Sequence, residues 1–221
     1  MLVAWGIALL LVCLPAAAAA STGRPVVQIA DDAVLHAAPG RPAIDFDGSV
    51  ALEHGSAWVL RRRGDWLQIP TLRNRDGGRG WIRRTALRRM TRTRLLVRVD
   101  LSERRVLVTH GSALLLSAPV AVGALQWPSP TGATSILERI PVTTLSGMSR
   151  GAYGPVVIAL RMWQRLPSIG YPNGGMMAFH GGATAASIQS ATSAGCFRML
   201  DADVQRLARV VRAGTPVIIS P

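Results

Sequence analysis

Cys196 sits in the run Ser193-Ala194-Gly195-Cys196-Phe197-Arg198-Met199, and His180-Gly181-Gly182 lies sixteen residues before it. A thiol attacks as thiolate, so a nucleophilic cysteine needs a depressed pKa or a base within reach. Imidazole titrates near neutrality and can be that base. Paired, the two predict a thiolate–imidazolium couple poised to attack a carbonyl carbon. Gly195 allows a tight turn and a bare backbone amide beside the reaction centre. Amides there, that of Cys196 included, can hold a developing oxyanion, each donor contributing about 3 kcal/mol. Arg198 can bind a substrate carboxylate or fix the loop. The Ser193 hydroxyl can do either job, and Tyr171 can line a substrate groove. A third group should orient His180. No Asp or Glu falls between Glu138 and Asp201, so a backbone carbonyl is expected there, with that of Gly181 the candidate. Asp201 itself reads as a helix cap rather than an acid of the site.

The chain has 221 residues and two cysteines. Cys13 lies in an N-terminal apolar run, Leu2 to Leu14, that ends in Pro15 and a string of alanines. That pattern predicts a secretory signal over residues 1–20, cut near Ala20. It lacks the usual basic residue before the apolar run, which leaves an uncleaved anchor as the rival and membrane association only in that case. With the signal removed, Cys196 has no disulfide partner within the chain, and a lone thiol in an oxidising compartment points to reactivity. No Cys/His cluster suggests a metal, and no cofactor is expected.

The formal net charge is +13, and all 25 basic residues are arginine. Such a balance is the usual footprint of nucleic-acid binding. An exported chain would meet anionic cell-wall polymers instead, so no nucleic-acid partner is expected. The densest basic stretch, Arg83 to Arg94, reads as a solvated connector or a charged helix face. His36, His54 and His110 have no supporting neighbours and read as surface or turn residues.

Two regions follow the signal. Over 21–90 short β-prone runs (Val26–Ile29, Val50–Leu52, Ala57–Arg61, Trp66–Ile69, Gly80–Ile82) alternate with Gly, Pro and Asp turns, the pattern of a small β-barrel. Trp66 and Trp81 are expected in its core. Over 91–221 the strands Leu95–Asp100 and Arg105–Thr109 form a hairpin. Val120–Gly123, Val156–Arg161, Met176–His180 and Thr215–Ser220 are further strands. One helix is predicted, capped by Asp201 or Asp203, with Val204, Leu207 and Val211 on one face and Gly214 closing it. The class is therefore mainly β, and not a doubly wound parallel sheet.

These residues resemble known families. Gly64-Asp65-Trp66-Leu67-Gln68-Ile69 with Gly80-Trp81-Ile82 resembles the bacterial SH3-like domain, as a spacer or a wall-binding module. His180-Gly181 followed by Ser193-Ala194-Gly195-Cys196-Phe197-Arg198 resembles the L,D-transpeptidase (YkuD-type) catalytic domain. Val99-Asp100-Leu101-Ser102, Pro130-Thr131-Gly132, Asp201 and Gly214-Thr215-Pro216-Val217 look like the same family. Many members carry a second histidine before the Gly-Cys pair, where this chain has Ala194.

The resemblance implies a β-sandwich catalytic domain with one short helix. It also implies that Cys196 attacks the carbonyl of an L-configured diamino acid in a peptidoglycan tetrapeptide stem. The terminal D-alanine leaves, and an amine on another stem or on a protein resolves the acyl-enzyme. His180 takes the thiol proton and returns it to the leaving amine. Water as acceptor would make the chain an L,D-carboxypeptidase, and an idle site would leave a cell-wall-binding protein. The expected location is the periplasm or cell wall. Oligomeric state is not readable from the sequence.

Overall fold

The computed structural model describes residues 23–44, 55–72, 78–144, 147, 149–167 and 174–221. The signal segment, Val50–Leu52, His54 and Tyr171 lie outside the described residues.

Among the described residues six strands make the N-terminal unit: β1 (Arg24–Ile29), β2 (Gly55–Trp58), β3 (Arg61–Arg63), β4 (Trp66–Pro70), β5 (Arg79–Arg83) and β6 (Leu87–Thr93). They form two antiparallel three-stranded sheets, ordered β2-β1-β6 and β3-β4-β5. Alternate residues of the pleat enclose one core, containing Val27, Ile29, Ala57, Leu67, Ile69 and Ile82. Trp66 and Trp81, expected inside, have the opposite parity and lie half-buried on the other face. There the Arg83 guanidinium stacks 4.4 Å from the Trp66 ring, and His36 meets that ring edge-on.

The stretch Arg83 to Arg94 is neither a free connector nor a helix face. Most of it is β6, paired residue by residue with β1. An alternation of polar residues hides this strand from a hydrophobic pattern. β6 is an edge of its sheet, and exposed arginines on an edge discourage pairing with another chain.

The remaining strands are β7 (Leu95–Asp100), β8 (Arg105–His110), β9 (Ala113–Pro119), β10 (Val122–Gly123), β11 (Gly132–Pro141), β12 (Val156–Gln164), β13 (Gly175–His180), β14 (Ala191–Ser193), β15 (Phe197–Arg198) and β16 (Pro216–Ser220). Two short helices lie between them: α1 (Arg150–Tyr153) and α2 (Asp201–Val210). Eight strands form one mixed sheet, ordered β15-β13-β12-β11-β16-β7-β8-β9, and β10 pairs in parallel with β14. The fold is mainly β, as the patterning requires. It is a curled sheet rather than two separate layers: Val106, Val108 and Leu116 from one end share a core with Phe179, Phe197 and Met199 from the other.

That core also receives Val204 and Leu207 of α2 and Val211 at its C-cap, all fully buried. The helix caps differently from expectation. Its N-cap is Leu200, which can make no side-chain cap bond, and Asp201 and Asp203 fall in the first turn. β15 has only two residues, too few for its ladder to hold alone. Phe197 stacks on Phe179 with centroids 5.0 Å apart, and burying a phenylalanine contributes about 2–3 kcal/mol. This contact seats β15 against β13, and with it the cysteine one residue earlier.

Arg161 of β12 is fully buried. Its Nε donates to the Ser56 carbonyl at 3.2 Å, tying the large sheet to β2. Among the described residues no helix is long and apolar enough to cross a membrane.

Candidate active site

β13 and β15 run parallel, with Phe179 opposite Phe197 and His180 opposite Arg198. Phe179 and Phe197 face the core. By alternation Ala178, His180, Cys196 and Arg198 share the other face. Cys196 packs there beside Val142, Val157, Ala178 and Tyr153, and the Tyr153 ring lies 4.9 Å from that of His180. Topology thus brings the four residues to adjoining ends of two neighbouring strands, with Cys196 immediately before β15 and Tyr153 of α1 as a wall.

His180 is buried, and its Nδ1 lies 2.8 Å from the Gly181 carbonyl oxygen. A carbonyl only accepts, so Nδ1 carries the proton and Nε2 keeps its lone pair. Burial pushes the His180 pKa down to about 4; the Gly181 bond opposes this, and the Arg198 charge adds to it. The Cys196 thiol is 3.8 Å from the Met176 carbonyl, to which it donates. Burial pushes the thiol pKa up, while the Ala178 amide and the Arg198 charge pull it down. At neutral pH the resting pair is therefore a thiol and a neutral imidazole, not the ion pair expected from the residue types. The physical reason is desolvation, which penalises both charges and which spacing alone cannot reveal.

The loop that carries the cysteine is fully wired. Gly195 has φ +115°, a conformation costly to any residue with a Cβ. Its N–H donates to the Ser193 hydroxyl at 3.1 Å. The same hydroxyl donates to the Cys196 carbonyl at 2.6 Å. Ser193 is fully buried, so its hydroxyl serves the loop. The Gly195 carbonyl accepts from Ser129 Oγ at 2.6 Å, and Ser129 in turn accepts from the Gly123 amide at 2.9 Å. In the sequence Ser129 is legible only as part of a Pro-Ser-Pro turn.

Arg198 faces His180 and Cys196, and its buried Nε has no hydrogen-bond partner among the described residues. Asp201, at the start of α2, turns its side chain away from the helix and accepts from the Gly182 amide at 2.9 Å. Among the described residues no group of three His, Cys, Asp or Glu could hold a metal ion.

A family model described as the YkuD L,D-transpeptidase catalytic domain matches residues 94–219, more than half of the chain. A Bacillus licheniformis protein bearing the L,D-transpeptidase name YkuD is 32% identical over 125 residues, which cover 57% of this chain and 65% of that protein. The chain thus spans just under two thirds of that relative's length. Among solved structures, an L,D-transpeptidase from Mycobacterium tuberculosis H37Rv aligns over 90% of this chain and 92% of its own, at 14% identity and TM-score 0.47. L,D-transpeptidase 3 from Mycobacterium tuberculosis, in complex with a faropenem-derived adduct, aligns over 65% of this chain and 73% of its own, at 12% identity and TM-score 0.46.

Proposed function

The chain belongs to the L,D-transpeptidase (YkuD-type) catalytic domain family, and from that premise we propose that it is an exported cysteine acyltransferase acting on peptidoglycan stem peptides. The observation that supports the reading is that Cys196 immediately precedes β15, whose parallel partner β13 ends on His180, with the Gly181 bond leaving the His180 Nε2 lone pair available.

The chemistry starts from the neutral pair. As Cys196 Sγ bonds to the carbonyl carbon of the stem's diamino acid, its proton passes to His180 Nε2. Charge develops on the carbonyl oxygen. The Gly195 amide is already engaged with the Ser193 hydroxyl, so we assign the oxyanion contact to the Cys196 amide. The C–N bond to the terminal D-alanine then breaks, and the leaving amine takes the proton from Nε2. An acceptor amine attacks the thioester, surrenders a proton to the same nitrogen, and releases the thiol. Arg198, cationic and short of a partner at Nε, binds a carboxylate of the stem. The N-terminal β unit, read as SH3-like, holds the enzyme on the wall. The leading segment 1–20 directs export.

The test uses the mature chain and a carbapenem, a β-lactam class that mimics the acyl donor. Intact mass should rise by one drug per chain, and peptide mapping should put the adduct on Cys196. Cys196→Ala should gain no mass. An adduct on that variant, or none on the parent chain, would end the proposal. Incubation with tetrapeptide muropeptides should then yield 3→3 crosslinks.

A further inference from the structure

The Gly181 carbonyl that accepts from His180 and the Gly182 amide that donates to Asp201 belong to one peptide group. The connection runs from His180 Nδ1–H to the Gly181 oxygen at 2.8 Å, through a single planar amide, and from the Gly182 N–H to Asp201 Oδ1 at 2.9 Å. Imidazole and carboxylate never touch, yet only one peptide bond stands between them.

The surroundings are built to that shape. A Cβ on Gly181 would lie 2.3 Å from Asp201 Oδ1 and 2.8 Å from the Gly154 Cα, so the carboxylate occupies space that any side chain there would take. The Gly181 amide donates to the Tyr153 carbonyl at 2.9 Å. The Met199 amide donates to the His180 carbonyl at 2.8 Å, which pins the segment before α2 to the end of β13. Asp201 rides on a helix anchored by Val204, Leu207 and Val211 in the core. Local capping does not explain its orientation, because the helix has no side-chain cap bond and the carboxylate bonds outside it.

We propose that Asp201 is a positioning residue which acts through the Gly181–Gly182 peptide to hold His180 in its Nδ1-protonated form and to stabilise the imidazolium that appears during turnover. A carboxylate accepting from an amide N–H polarises that amide and makes its oxygen a better acceptor. The stronger acceptor fixes the ring and its tautomer, the task a carboxylate performs by direct contact in serine hydrolases. Asp201 neither gains nor loses a proton; the thiol proton travels to Nε2 and on to the leaving amine. The inference rests on the reading of Cys196 and His180 as the working pair.

The test compares Asp201→Ala, Asp201→Asn and, as a control on the same helix turn, Asp203→Asn. Carbapenem acylation rate against pH and the thermal midpoint are measured for each. Asp201→Ala should acylate about 10- to 100-fold more slowly. Asp201→Asn keeps an acceptor for the Gly182 amide without the charge. It should recover part of the rate, with the acid limb of the profile moved to lower pH, since imidazolium has lost a stabilising anion. Asp203→Asn should match the parent. An alanine variant with parental rate and parental acid limb overturns the proposal, as does a loss that tracks the thermal midpoint alone. If the parent chain never acylates, the transpeptidase reading fails and the relay is judged by 15N shifts of the His180 ring. Asp201→Ala should then mix the two tautomers, and a ring that stays purely Nδ1-protonated rejects the relay.

Discussion

Ser129 and Gly195 are 66 residues apart in sequence, and the hydroxyl of the first donates to the carbonyl oxygen of the second at 2.6 Å. Through this bond the segment after β10 grips the loop that presents Cys196. Replacing Ser129 with alanine strands the Gly195 carbonyl and the Gly123 amide, both of which it satisfies. An unsatisfied buried polar group costs about 1–3 kcal/mol. The variant should fold with a lowered midpoint in urea and should acylate more slowly than that loss of stability accounts for. Parental acylation would show that the loop holds its shape without Ser129.

The raised thiol pKa governs small-electrophile chemistry. With burial opposing the thiolate, iodoacetamide labelling of Cys196 should climb with pH beyond the ordinary thiol range. A resting ion pair would instead give a plateau of labelling from weakly acid to neutral pH. Finding such a plateau would contradict the neutral pair.

His180 also sets a pH window for stability. Its pKa in the folded chain is about 4, against an ordinary value of 6.5 when the chain is unfolded. Between those values the unfolded chain binds more protons than the folded one, so stability rises with pH across the window and is lost as pH falls from 6.5 to 4. The full difference is about 3 kcal/mol, since each pH unit separating the two pKa values contributes about 1.4 kcal/mol. Thermal midpoints of the parent and of His180→Gln should converge toward pH 4 from a larger separation at pH 7. A gap that does not change with pH would exclude a depressed histidine.

Arg161 joins β12 to the N-terminal β unit. It is fully buried and holds the Ser56 carbonyl. Arg161→Leu should cost about 1–3 kcal/mol, a drop of several degrees in Tm at about 2–4 °C per kcal/mol. It should also speed tryptic cleavage within the arginine-rich β6. Unchanged cleavage would mean that the two β units stay together without this side chain.

Much of this architecture was legible in the sequence. Hydrophobic patterning marked β4, β5, β7 and β8, where buried and more exposed positions largely alternate. The apolar spacing of Val204, Leu207 and Val211 marked α2. β6 escaped, since Leu87–Thr93 buries no residue fully and its partner in β1 supplies the order. β9 and β11 escaped because Leu114 and Leu115 are exposed, and because Ser135 and Thr134 are buried where alternation asks for apolar residues. For the candidate site, residue types and spacing point to Cys196 and His180, and the parallel register of β13 and β15 sets His180 opposite Arg198, two residues after the cysteine. The protonation states were not legible, since they follow from desolvation in the folded chain. Nor were the partners of Ser129 and Asp201, which lie 66 and 19 positions away and meet only when the sheet curls.

The protonated state of Cys196 has a consequence for durability. Peroxides and disulfides react with the sulfur anion, and oxidation to sulfenic acid follows how much of that anion is present. A sulfur that burial keeps protonated offers such reagents little to attack, and no second cysteine among the described residues can trap it. In the proposed reaction the anion forms only as the proton passes to His180 Nε2, so the sulfur stays in its less oxidisable form until an acyl donor is bound.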